Sequence, residues 1–219
     1  PMALQLEDWI KVVNQMPEYA HVTLTGGEPL VFKEFNKIFN EIDKKFTTNI
    51  ISNGLLINEN YIELFTNSKN FEIFSISIDD IGNINRKVRP AHWNKMLENL
   101  KIFKKRANEK NKKIIFDAKT VVLDTNANDL FKIYKYLKED AGFDTHSFQF
   151  LKGSIVQHAD IMFPYSDIFN KYDSYEYENF SKIIEQLELV RQYNLKNKQK
   201  SYVHPNWIDL NSDISIYDQ

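Results

Sequence analysis

Five times along the chain, a short run of β-branched and aromatic residues stops at glycine or a small polar residue and gives way to a helical pattern. The runs are His21–Thr25, Thr47–Ile51, Phe71–Ile78, Ile114–Leu123 and His146–Leu151. The helical patterns between and around them cover Leu4–Met16, Phe35–Phe46, a short segment capped by Asn58, His92–Ala107, Asn128–Asp140 and Tyr177–Tyr193. In the first, Leu6, Trp9, Ile10, Val13 and Met16 share one face. Strands alternating with helices predict a parallel sheet with helical crossovers. Five clear strands cannot close an eight-stranded barrel. The expectation is therefore α/β: a partial, open barrel of the (β/α)6 TIM-like kind, its first strand absent. With no internal repeat and no Pro-, Gly- or Ser-rich linker, residues 1–219 read as one domain. Residues 1–152 form its βα core, and 153–219 form a loop on the substrate side, a last helix and a tail.

Composition narrows the function classes. A net charge of −2 and a pI near 6.3 argue against a nucleic-acid partner. No apolar run approaches the ~20 residues of a membrane span. No basic-then-apolar leader opens the chain, so no membrane partner and a cytoplasmic location are expected. The count of cysteines is zero, which excludes a disulfide framework, a thiolate zinc site and a cysteine nucleophile within these residues. An aromatic share of 14% suits a core built on Phe and Tyr.

The chain has six glycines. Gly26, Gly27, Gly54, Gly82 and Gly153 fall at or just past predicted strand ends, and Gly142 ends a helix. In parallel α/β folds the carboxyl ends of the strands form the ligand face. Thr25, Glu28, Ser52, Asn53, Ser77, Asp79, Lys119, Gln149 and Lys152 belong to that face by position. Glu28, after two glycines and before Pro29, is placed to grip an ammonium group; the simpler reading is a helix N-terminal charge.

The segment Leu24-Thr25-Gly26-Gly27-Glu28-Pro29-Leu30 resembles the GGEP motif of the radical S-adenosylmethionine (radical SAM) superfamily. Further segments resemble that family in order and spacing: Ile51-Ser52-Asn53-Gly54; Ser75–Asp80 with Asn85–Arg89; Lys119–Val122 with Asn126; and Phe148–Leu151. The likeness runs from about Leu4 to Lys152 and is nearest the branch of molybdenum-cofactor biosynthesis and peptide-maturation enzymes. It implies that SAM is a cofactor. Gly26, Gly27 and Glu28, flanked by Thr25 and Pro29, would meet its amino group, and Ser52 and Asn53 would line the same pocket. Ser77 and Asp79 would face the ribose or the substrate, and Thr120, Val122 and Leu151 the adenine. Arg89, Lys119, Gln149, Lys152, Gln157 and His158 are candidate substrate contacts. The resemblance implies a [4Fe–4S] cluster that cleaves SAM to a 5′-deoxyadenosyl radical, with a flavodoxin- or ferredoxin-like electron donor and a small-molecule or peptide substrate.

The sequence departs from the family in one respect. The C-x-x-x-C-x-x-C loop that holds the cluster is absent, and clusters require thiolates. Two explanations stand: a piece of a larger enzyme, or a relative without a cluster that acts as a scaffold or binding module. The chain as given is expected not to cleave SAM. A third reading is a Schiff-base barrel aldolase using Lys119 near Asp79 and Glu28. It leaves the GGEP segment unexplained. The aromatic stretch Phe163, Tyr165, Tyr172, Tyr175 and Tyr177 is expected to close the open side of the barrel.

Overall fold

A computed structural model describes residues 5–81, 90–150 and 177–197, with backbone only at 90–92. The expectations placed on Gly82, Arg89, Leu151, Lys152, Gly153, Gln157, His158 and the aromatics from Phe163 to Tyr175 lie outside the described residues.

Among the described residues, five strands form one wholly parallel sheet in chain order: β1 (His21–Leu24), β2 (Thr47–Ser52), β3 (Phe71–Ser77), β4 (Ile115–Val122) and β5 (Thr145–Phe150). Six helices accompany them: α1 (Leu6–Gln15), α2 (Phe35–Asp43), α3 (Glu59–Asn67), α4 (Pro90–Glu109), α5 (Leu130–Glu139) and α6 (Phe180–Asn197). This is the expected part of a βα barrel. Strands that pair in the order they occur leave every carboxyl end on one rim. No described helix is long and apolar enough to cross a membrane.

Local chemistry explains the boundaries. Asn58 caps α3 by accepting the Tyr61 N–H at 3.2 Å. Gly142, at φ +71°, takes the left-handed turn that ends α5. The strand period of two divides the sheet into faces. On β4, Phe116, Ala118, Thr120 and Val122 turn outward and are buried. Ile115, Asp117 and Lys119 turn inward, where they line a cavity.

The outer core is aromatic, as composition suggested. Phe65 of α3 packs on Phe39, Phe71, Phe74 and Phe103 with ring centroids 4.9–5.8 Å apart. A second cluster joins Val122, Leu130, Tyr134 and Phe148 to Ile183, Leu187 and Val190 of α6. Burying a Phe of this kind stabilises by roughly 2–3 kcal/mol, so the helix layer holds the rim in place.

Candidate functional site

The turn after β1 presents Gly26 and Gly27 to open space: a Cβ added at either would meet nothing within 4 Å. Gly26 has φ +150°, so its own backbone also favours the absence of a side chain. Glu28 follows, and its carboxylate is engaged on three sides. Oε1 accepts the Leu30 N–H at 3.1 Å and the Ser52 hydroxyl at 2.8 Å. Oε2 accepts the Asn53 N–H at 2.8 Å. Glu28 thus does what the simpler reading proposed, capping the short 3-10 turn Pro29–Val31, and it also ties β1 to the tip of β2. One acceptor position on Oε2 remains for a ligand. From the far side, the Tyr61 hydroxyl donates to the Leu30 carbonyl at 2.9 Å. Burial, then the charge of Glu28, raises the Tyr61 pKa and keeps it a donor.

The tip of β2 needs its own glycine. Gly54 sits at φ +74°, and a Cβ there would come within 2.9 Å of Met96 Cγ. The Gly54 N–H donates to Ser52 Oγ at 3.0 Å, and Asn53 Oδ1 accepts the Leu55 N–H at 2.9 Å. Thr25, Gly26, Gly27, Glu28 and Pro29 line a cavity of about 490 Å3 with Trp9 and Val12 of α1 and Met16 just after it. The described geometry therefore places residues 26–28 beside a hollow and against the neighbouring strand tip.

The tips of β3 and β4 are laced by an amide. Asn126, buried, donates to the Asp79 carbonyl at 3.0 Å and the Val121 carbonyl at 2.9 Å, and accepts the Leu123 N–H at 2.9 Å. The Asp79 carboxylate accepts the Val121 N–H at 2.8 Å and stays exposed on its outer side. Desolvation of its inner part raises the Asp79 pKa, and the Val121 hydrogen bond opposes the shift. Ser77 and Gln149 are also exposed near this rim.

Thr120 and Val122 do not line the site. Both are 0% exposed on the outward face of β4. The Thr120 hydroxyl donates to the Ile78 carbonyl at 2.6 Å and meets His146 Nε2 at 2.8 Å. Because its only proton goes to Ile78, Thr120 accepts from His146, which assigns the proton to Nε2. Val122 packs into the α5–α6 cluster. The adenine role drawn from the resemblance fails for these two because alternation turns them away from the concave face.

That face holds a network the sequence reading missed. Asp117, 6% exposed, accepts the Ser75 hydroxyl at 3.1 Å and the Thr145 hydroxyl at 2.7 Å, and forms an ion pair with the Lys119 ammonium at 3.2 Å. Lys119 also reaches Ser147 Oγ at 3.3 Å. The neighbours of Lys119 are thus Asp117 and Ser147, not the Asp79 and Glu28 expected from the strand tips. These residues, with Thr23, Asn49, Ile51, Ile73 and Ile115, line a cavity of about 340 Å3. The signal was present as the alternation Asp117-x-Lys119, inward at both positions.

The family model described as Radical SAM superfamily matches residues 2–137, more than half of the chain. This chain belongs to the radical SAM superfamily. It is similar to the crystal structure of Streptococcus suis SuiB bound to S-adenosylmethionine, with 17% identity and TM-score 0.64 over 100% of this chain and 48% of that one. It is likewise similar to SuiB bound to the precursor peptide SuiA, with 18% identity and TM-score 0.67 over 100% and 48%. A third likeness is to native anSMEcpe with bound AdoMet and Cp18Cys peptide, with 18% identity and TM-score 0.63 over 89% and 53%. The chain spans about half the length of these structures. No curated protein matches it.

The residues fit SAM and do not fit the cluster. Two glycines facing open space beside a carboxylate with spare acceptor capacity suit an ammonium-bearing ligand. No cysteine exists in the chain, and no group of three or more His, Asp or Glu able to hold a metal occurs among the described residues.

Proposed function

We propose that this chain is the SAM- and substrate-binding core of a radical SAM enzyme. The observation that supports the reading most directly is the β1 tip: unencumbered Gly26 and Gly27 backbone and a Glu28 carboxylate fixed by Ser52 and Asn53 beside a cavity. Carbonyls of the glycine turn and the remaining Oε2 position accept from the ammonium of the methionine moiety. The clamp holds Glu28 in that orientation before the ligand arrives, so little ordering cost is left for binding. Ser77 and Asp79 on the next tip accept from the ribose hydroxyls. Gln149, on the inner side of β5, faces the substrate, as do Arg89, Lys152, Gln157 and His158 in the sequence reading. Once bound, SAM supplies the sulfonium–carbon bond whose cleavage gives this superfamily its radical chemistry.

Since the chain has no thiolate, these residues are assigned binding and orientation. SAM cleavage, with its cluster and a flavodoxin- or ferredoxin-like donor, is assigned to the parent protein. A peptide is the favoured substrate class, because SuiB and anSMEcpe were each solved with a peptide. The family match accounts for the GGEP segment that the aldolase reading left unexplained.

Calorimetric titration of SAM into the chain tests the reading. Binding is expected, weakened at least tenfold by Glu28→Ala and unchanged by Glu59→Ala on α3. A melting curve on each variant establishes that it is folded. SAM binding that ignores Glu28→Ala in a folded protein contradicts the assignment.

A further inference from the structure

We infer that Lys119 and Ser147 form an oxyanion subsite on the inner face of the half-barrel, which holds a carboxylate or phosphate group of the substrate. That the bound group belongs to the substrate rests on the function proposed above; the anion site itself does not.

The argument begins with Asp117. A nearly buried carboxylate needs a partner on each oxygen, and this one has them: Oδ1 accepts the Thr145 hydroxyl, and Oδ2 accepts the Ser75 hydroxyl and pairs with the Lys119 ammonium. The hydroxyls of Ser75 and Thr145 give each carboxylate oxygen its hydrogen bond, so Lys119 is not consumed in satisfying it. Lys119 has three ammonium protons. One faces Asp117 and one Ser147 Oγ, which leaves the third without a described partner. The side chain of Lys119 keeps 33% exposure where that of Asp117 keeps 9%. The ammonium is therefore the outer member of the pair, and an anion in the cavity meets it first. Because Coulomb energy falls with distance, attraction to the nearer cation outweighs repulsion from the carboxylate behind it.

The surroundings sharpen the site. Ser77 and Ser147 flank Lys119 in register on β3 and β5, and each brings a hydroxyl able to donate to an oxyanion. Isoleucines 51, 73 and 115 line the same cavity and lower its polarity, which strengthens any charge pairing within it. Asp117 acts as a positioning residue. It fixes a flexible lysine at one place on the concave face, below the rim where Asp79 sits.

The test is an NMR titration of the full chain with sodium acetate and, separately, inorganic phosphate, following the Lys119 ammonium and the Ser77 and Ser147 amides. At least one probe is expected to give saturable shifts at these groups. Lys119→Met is expected to weaken that binding tenfold or more, and Lys119→Arg to retain it. If Lys119→Met fails to fold because Asp117 loses its cation, the double variant Asp117→Asn/Lys119→Met serves instead. A response to acetate alone assigns a carboxylate, and a response to phosphate alone a phosphate; a response to both supports the shared oxyanion chemistry. Absence of saturable shifts with either probe, or binding unchanged in the methionine variants, overturns the inference. SAM titrated into the same samples separates the two readings. SAM binding without anion binding sinks only this inference, and anion binding without SAM binding sinks only the proposed function.

Discussion

At the β1–β2 tip a part-exposed carboxylate, Glu28, holds the loops, whereas at the β3–β4 tips an amide and a hydroxyl do so from within the core, the hydroxyl backed by the His146 imidazole of β5. Both devices tie a turn to its neighbouring strand. The difference lies in what remains for a ligand. Glu28 has charge, solvent contact and an open acceptor position. Asn126, Thr120 and His146 are buried, and their hydrogen bonds point at the protein itself. On the proposed function, the first tip binds and the interior of the second holds shape, with Ser77, Gln149 and the outer side of Asp79 left exposed for contact.

The largest effect separating the two regions is in pH. Desolvation, followed by the charges of Lys138 and Lys119, pushes the His146 pKa down to about 3. The unfolded chain titrates near 6.5, so between those values it binds more protons than the native state. Stability is flat above about pH 6.5 and falls by ~1.4 kcal/mol per unit toward pH 3 on account of this group. Melting curves of wild type and His146→Phe across that window should diverge with this slope. Parallel curves contradict the buried neutral imidazole.

Asn126→Ala comes next. It removes three hydrogen bonds, to the Asp79 and Val121 carbonyls and from the Leu123 N–H, at a cost of about 3 kcal/mol. Denaturant unfolding should show this while SAM affinity changes little. Glu28→Ala should reverse the pattern, with about 2 kcal/mol of stability lost against the tenfold loss in SAM affinity stated above. Should Asn126→Ala weaken SAM more than Glu28→Ala does, the division between binding tip and structural tip is wrong.

Two smaller effects refine it. Gly54→Ala forces a side chain into the left-handed region and against Met96, for about 1–2 kcal/mol. It should also loosen the Asn53 amide that faces Glu28, visible as faster hydrogen exchange there. Asp79→Asn should leave the melting temperature at neutral pH unchanged or slightly higher. Its raised pKa means that the folded state holds this proton more tightly than the unfolded chain does, so the charged form is the strained one. A clear drop in stability would show that the Asp79 charge does structural work.

Much of this was legible beforehand. All five strands and six helices fall where periodicity placed them, within a few residues at their ends. Asn58 and Gly142 act as cap and stop. The glycine pair, Glu28, Ser52 and Asn53 were singled out together, though nothing in their spacing revealed that Glu28 accepts from the other two. Thr120 and Val122 were misplaced because a family role was carried to them without asking which face of β4 they occupy. Asp117 was passed over because it lies mid-strand, away from the tips where ligands were sought.

The sequence alone determined the order and type of elements, the parallel sheet, and which residues reach the rim, because these follow from hydrophobic period and turn chemistry along the chain. Only the tertiary structure decided how the polar groups pair. The bonds of Glu28 to Ser52 and Asn53, of Asp117 to Ser75 and Thr145, and of Thr120 to Ile78 and His146 join residues 24 to 42 positions apart. Such partners are chosen by strand register and by the need to satisfy every polar group removed from water, and neither is written in any local stretch of residues.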